Sequence, residues 1–132
     1  MRLQLYKSDY IDRDFVNWLL LKIPFVVLSK LTAKTFVRSR DLLRSAGVNV
    51  DPRRIILTAC RYMYIVELKD SFIVDIKRNI MFGNSNNTIR ELCSIIEYGN
   101  MHTPGTHVFS DAFKETIESL PLLYSEYLSE LI

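Results

Sequence analysis

At 132 residues the chain is long enough for one domain with a real core, and its 48% hydrophobic and 24% charged residues are ordinary for a globular protein. A formal net charge of +2 implies no class of partner by itself. The most apolar run, residues 15–31, is interrupted by Lys22, Pro24 and Lys30, which excludes an unbroken membrane-spanning helix there.

The compartment is indicated by two features of the sequence. No long apolar segment with a cleavage-site pattern follows Arg2, so we expect no signal peptide and a protein that is made and assembled in a cytoplasm. Cys60 and Cys93 are far apart and each lies among apolar residues. They are expected to be small buried hydrophobes in a reducing compartment and not a disulfide or a metal pair.

The N-terminal half begins with a short alternating segment and two helices. Residues 1–6 alternate between apolar and polar, which predicts a strand, or an arm that pairs with a neighbouring chain. Residues 13–23 are apolar nearly all round, which predicts a helix that is buried on most sides and that Pro24 ends or kinks. A second helix is expected from about residue 29 to 46, because Gly47 is a natural stop.

The middle of the chain is predicted to form a third helix and a β-hairpin. Asp51 followed by Pro52 is typical of a helix start, and we favour a short helix over residues 52–59, although the same run also fits a strand. The period-2 pattern of residues 61–77 predicts a hairpin, and residues 80–82 are a candidate third strand. We therefore predict a single α+β domain, residues 1–132, with N-terminal helices packed on a small antiparallel sheet and C-terminal helices after it.

The rest of the chain contains clear sequence signals for where helices begin and end. Thr88 and Glu91 have the spacing of a capping box, and Gly99 is placed to end the helix that they begin. The next residues include a Pro-Gly pair and cannot continue a helix, so a loop is expected. Ser110 and Asp111 are candidate caps for the following helix. The last helix is expected to start near a proline at position 121 and must dock on its own core or on a neighbour.

One motif in this segment resembles a known family. An acidic–aromatic–glycine element, a short loop and a phenylalanine at the start of a helix resemble the tail-completion, or neck, proteins of tailed bacteriophages. The residues that match are Glu97, Tyr98, Gly99, Phe109 and Ala112. The residues that differ from the family's pattern are Asn100, His107, Val108 and Asp111. The resemblance implies a structural virion protein that forms a ring between the head's portal or adaptor and the tail tube.

Charge is unevenly distributed along the chain. Seven bases and two acids fall in residues 30–54, whereas seven acids and one base fall in residues 91–132. Such polarity suits head-to-tail contact between ring subunits, in which a basic face meets an acidic one. The basic segment could instead line a channel that carries DNA, and ordinary solvated faces are the remaining alternative.

These observations define the expected site and partners. The expected interface residues are Glu97, Tyr98, Gly99, His107, Phe109, Arg38, Arg40 and Arg44. The expected partners are copies of the chain in a ring, portal or adaptor proteins, tail-tube or tail-terminator proteins, and DNA if the basic segment faces the lumen. The expected location is the virion. The seven Tyr and seven Phe residues are more than a minimal core needs, so some are expected at an interface; the alternative is that they simply fill the core.

Other functions were weighed against this one. The chain has no Gly-rich phosphate loop and no Gly-x-Ser-x-Gly motif, so we expect no enzyme and no cofactor. His102 and His107 do not have the spacing of a standard zinc site, and Glu97 and Asp111 are interpreted as exposed acids or helix caps. The main alternative is a small nucleic-acid-binding protein that uses residues 30–54 and shows a steep salt dependence. A weaker one is membrane association through residues 15–31.

Overall fold

The computed structural model describes residues 1–132 and confirms the α+β class, with six helices and one three-stranded antiparallel sheet. The elements, in chain order, are β1 (Leu3–Tyr6), α1 (Arg13–Ser29), α2 (Ala33–Ser45), α3 (Pro52–Arg61), β2 (Met63–Glu67), β3 (Ser71–Ile76), α4 (Ile89–Tyr98), α5 (Val108–Glu118) and α6 (Leu120–Glu130). No single helix combines the length and hydropathy of a membrane span, and α1 and α2 satisfy that test only as a pair bent by 97°.

The sheet has the order β1-β3-β2, with the predicted hairpin strand β3 at its centre. β1 pairs antiparallel with β3, placing Leu3 opposite Val74 and Leu5 opposite Phe72. The N-terminal segment is therefore a strand of its own domain and not an arm to another chain. The candidate third strand at residues 80–82 was wrong, since Met81 forms only an isolated bridge with Thr88.

Of the two predicted effects of Pro24, ending or kinking α1, the first is wrong. The helix continues without a break to Ser29, although Pro24 cannot donate a backbone hydrogen bond. Val27 lies one turn beyond Ile23 and is fully buried, so core packing on both sides of the proline favours the helical path. Helix α2 then starts at Ala33 and not near residue 29, because the Thr32 side chain accepts a hydrogen bond from the Thr35 backbone.

The core lies between one face of the sheet and helices α1, α3, α4 and α5. Leu3, Leu5 and Val74 on the sheet pack with Phe15 and Ile96 from the helices, and all are buried. Burial of each large apolar side chain contributes about 1.5–3 kcal/mol. This core fixes the end of α4 and the start of α5, which flank the loop of the predicted interface.

The C-terminal helix docks on its own domain. Tyr124 meets the edge of Phe15 with ring centroids 5.4 Å apart, and Tyr127 lies 5.5 Å from Trp18. Lys22 lies beside this cluster, 3.4 Å from the Glu126 carboxylate and 3.3 Å from that of Glu130. Several of the aromatic residues expected at an interface are thus used inside the domain.

Candidate interaction surface between helices α4 and α5

Helix α4 begins and ends by local chemistry. The Thr88 hydroxyl accepts a hydrogen bond from the backbone of Glu91 at 3.1 Å, as the capping pattern predicts. The Glu91 side chain makes no return bond, so only half of the capping box forms. Gly99 ends the helix with φ 82° and ψ −163°, a conformation that is open to glycine and costly for other residues.

The loop that follows is folded tightly against the end of α4. A Cβ atom at Gly105 would lie less than 3 Å from the carbonyl oxygen of Glu97, and one at Gly99 would meet the backbone of residues 103–105 equally closely. The Asn100 side chain accepts hydrogen bonds from the backbones of His102 and Thr103 at 2.9 and 2.8 Å. The loop therefore has one defined conformation, held by its own hydrogen bonds and by close packing against α4.

Glu97 joins the loop to the next helix. Its carboxylate is fully buried and accepts hydrogen bonds from the backbones of Phe109 at 2.9 Å and Ser110 at 3.0 Å, and also from the Ser110 hydroxyl. A carboxylate in this position satisfies exposed N–H groups at the start of α5 and interacts favourably with the helix dipole. Glu97 is thus the cap of α5, supplied from α4.

This arrangement corrects the predicted caps of α5. His107 holds the capping position with φ 56° and makes no side-chain cap bond. Ser110 and Asp111 lie inside the first turn, where Ser110 is a hydrogen-bond donor to Glu97 and Asp111 is an exposed acid. The His107 ring has its Nδ1 atom 3.9 Å from a Glu97 carboxylate oxygen, so a protonated His107 would add an ion pair there.

The predicted interface residues divide into a buried and an exposed set. Glu97 and Phe109 are fully buried and Gly99 is packed against the loop, so as the domain is folded these three support the loop and do not face a neighbour. Tyr98 is 57% exposed, and the His107 side chain is 59% exposed. Met101, which the sequence did not single out, is 94% exposed at the loop tip.

Of the three predicted interface arginines, Arg38 lies on one side of α2, whereas Arg40 and Arg44, four positions apart, lie on another. Arg38 donates to the Gly105 carbonyl at 3.5 Å, and Asn100 donates to the Ser45 hydroxyl at 3.1 Å, so α2 lies beside the loop. Arg40 follows two positions later, about 200° round the helix, and Arg44 instead donates to Asn49 at 3.3 Å. Only Arg38 therefore shares a surface with the loop.

The loop surface is defined as the exposed residues Tyr98, Met101, His102 and His107 together with the half-buried Arg38 at its edge. Sequence reasoning missed the supporting roles of Asn100 and Gly105. The signals were present, since Asn favours this kind of turn and a Pro-Gly pair marks a sharp change of direction.

Ion pairs within the chain reduce the charge polarity of the sequence. Lys30 of the basic segment pairs with Glu115 of the acidic segment at 2.8 Å, and Glu126 and Glu130 both pair with Lys22. Glu97 is buried as a helix cap. Among the acids of residues 91–132, those with no cationic partner in the fold are Glu91, Asp111 and Glu118.

The thiols and histidines do not form a reactive cluster. Burial raises the pKa of Cys60 to about 12 and also raises the pKa of Cys93, so both are protonated thiols at neutral pH. No group of three or more His, Cys, Asp and Glu side chains is placed to hold a metal ion.

Fold and site together define an α+β protein with a partly apolar loop surface held by internal hydrogen bonds. Comparisons with protein-family models, with curated proteins and with solved structures found no match to the chain.

Proposed function

We propose that the chain is a structural protein of the neck of a tailed bacteriophage, a ring-forming tail-completion component of the virion. One observation carries the proposal. The residues that match the family's pattern are packed together and support one loop. Glu97 caps the helix that begins beside Phe109, and Gly99 allows the loop to close on α4. Ala112 and Phe109 anchor this part of the chain in the core.

In this function the activity is binding. Tyr98 and Met101 are held outward, and the loop backbone is already fixed by its own hydrogen bonds, so the backbone loses little conformational entropy when a partner covers these side chains. Arg38 adds a positive charge at the edge of the same surface. The partners proposed are copies of the chain in a ring, together with portal or adaptor proteins and tail-tube or tail-terminator proteins.

The contact between subunits is proposed to join the loop surface to an acidic face of the next copy. Asp111 and Glu118 are exposed on α5 without a cationic partner, and the exposed Lys114 lies between them at helical spacing, so this face carries two acids and one base. A contact between two different surfaces of one chain is heterologous, and it closes into a ring when the rotation permits.

The test is assembly of the purified protein, followed by light scattering and electron microscopy. We expect rings whose population falls in a variant with Arg38→Glu and Met101→Asp on the loop surface. Arg44→Glu is the control for the arginine reversal, compared with Arg38→Glu alone, because Arg44 contacts Asn49 on another side of α2. A chain that stays monomeric at every concentration, and that is missing from purified particles of the phage that encodes it, would refute the proposal.

A further inference from the structure

A long groove runs along the outer face of α3, away from the loop surface. It consists of three adjoining concavities with volumes of 390, 560 and 440 Å³. The first two share Arg54, Phe82 and Gly83, and the last two share Ile80. Residues 77–85 form one wall throughout. The opposite wall is residues 47–50 and α3 in the first two concavities and Tyr64 of β2 in the third, so α3 lines two of the three.

The lining of this α3 groove is strongly basic. It has five bases and one acid, which are Arg53, Arg54, Arg61, Lys77, Arg78 and Asp51. Asp51 is already occupied, since it caps α3 and pairs with the Arg53 guanidinium at 2.6 Å. All five bases are exposed, so the groove presents an excess of positive charge to a ligand.

Aromatic rings lie between these charges. Tyr62, Tyr64 and Phe82 line the groove, and both tyrosines are half-exposed. The Arg54 guanidinium lies 5.2 Å above the centre of the Phe82 ring, which holds the arginine over the groove. Proteins bind single-stranded nucleic acid through cations that contact phosphates and aromatic rings that stack on bases, and this groove offers both.

We infer that the α3 groove binds single-stranded nucleic acid without sequence preference, with its Arg and Lys side chains on phosphates and its tyrosines stacked on bases. The site uses none of the residues of the loop surface, so it stands or falls independently of the neck function. The basic segment predicted from sequence supplies only Arg53 and Arg54, because the remaining bases come from the end of α3 and from residues 77–78.

The charge contribution is tested by fluorescence anisotropy of a labelled oligothymidylate across a salt series. Each lost phosphate contact lowers the slope of log affinity against log salt by about 0.7 for a single strand. We expect Arg61→Gln with Arg78→Gln to lower the slope by about 1.4. Arg2→Gln with Lys114→Gln removes the same net charge from exposed positions outside the groove and should leave the slope within about 0.3 of the wild type.

The stacking contribution is tested with Tyr64→Leu, and Tyr6→Leu on β1 is the matched control. Loss of one stacked base should weaken binding by about 5- to 150-fold for Tyr64→Leu alone. The same titrations are run with the matching duplex and with polyglutamate. The inference is overturned if the oligothymidylate does not bind at low salt, if each control variant matches its groove variant, or if duplex or polyglutamate binds as tightly as the single strand.

Discussion

Removal of the Glu97 carboxylate should destabilise the domain far more than the loss of an ordinary surface acid. In Glu97→Ala the buried backbone N–H of Phe109 loses its partner, and an unsatisfied buried donor costs about 1–3 kcal/mol. Loss of a helix cap costs about 0.5–2 kcal/mol. The Ser110 N–H is only partly buried and regains water. The cap consists of these same hydrogen bonds, so the two figures are not added, and we expect a total loss of about 3 kcal/mol, the upper end of the first range.

The measurement is urea denaturation followed by circular dichroism. With a slope of about 1–3 kcal/mol per molar urea, a loss of about 3 kcal/mol lowers the midpoint by about 1–3 M while the slope is unchanged. Glu97→Gln keeps one acceptor oxygen but loses the charge and brings an amide donor among N–H donors. We expect it to lose about half as much stability.

The control is Glu118→Ala, which removes an exposed glutamate near the other end of α5. A surface change of this kind should alter the free energy of unfolding by less than about 0.5 kcal/mol. If Glu97→Ala is no more destabilising than Glu118→Ala, the hydrogen bonds to Phe109 and Ser110 do not hold the loop, and the account of the site is wrong.

Two further predictions concern the same fold. Gly105→Ala should lower the free energy of unfolding by at least about 3 kcal/mol, because its Cβ would collide with the Glu97 carbonyl. In Gly47→Ala the new Cβ meets open space, so the cost is only the strain of a positive φ, about 1 kcal/mol. Thermal unfolding of both variants tests this, and equal losses of stability would contradict it. The hydrogen bond from Lys7, with a smaller contribution from Arg13, holds the pKa of Glu67 below its ordinary value of 4.5. The ionised Glu67 carboxylate therefore contributes to stability above pH 4.5, and that contribution is lost as the pH falls through the lowered pKa. In a plot of melting temperature against pH, Glu67→Gln should reduce the fall at acid pH. An unchanged fall at acid pH would refute the argument.

Several features decided by neighbouring residues could be predicted from the sequence, although the local cap of α2 at Thr32 was missed. Asp51 and Pro52 start α3, and Thr88 starts α4, because a cap needs only a side chain and an N–H group two or three residues away. The central strand β3 was also predictable, since apolar residues alternate along the predicted hairpin. Each of these features depends only on residues that are close together in the sequence.

Features decided by distant contacts could not be predicted in the same way. Residues 80–82 and β1 both read as short apolar strands, but only one place beside β3 remained after the hairpin formed. β1 takes it because Leu3 and Leu5 then lie beside Val74 and Phe72 in the core. Pro24 shows the same limit, because burial of Val27 outweighs the local rule that a proline ends a helix.

The candidate site shows the same distinction between local contacts and contacts that are distant in the sequence. Glu97 was read correctly as a possible cap, but its N–H partners are 12 and 13 residues away and are brought to it by the loop. The arginines are a different case, because helical periodicity alone separates Arg38 from Arg40 by about 200°. Arg40 and Arg44, four positions apart, share a helical face, so the sequence alone divides the predicted set into two faces.

The burial of the motif changes what the family resemblance can indicate. Glu97, Gly99 and Phe109 are each required by the geometry of the loop and of the α5 start, whatever the loop binds. Selection for that geometry alone is enough to retain them. The identity of a partner must then depend on exposed positions such as Tyr98 and Met101, which the fold leaves free to vary. Substitutions at those two positions are expected to change binding at little cost in stability, whereas the buried residues cannot separate the two effects.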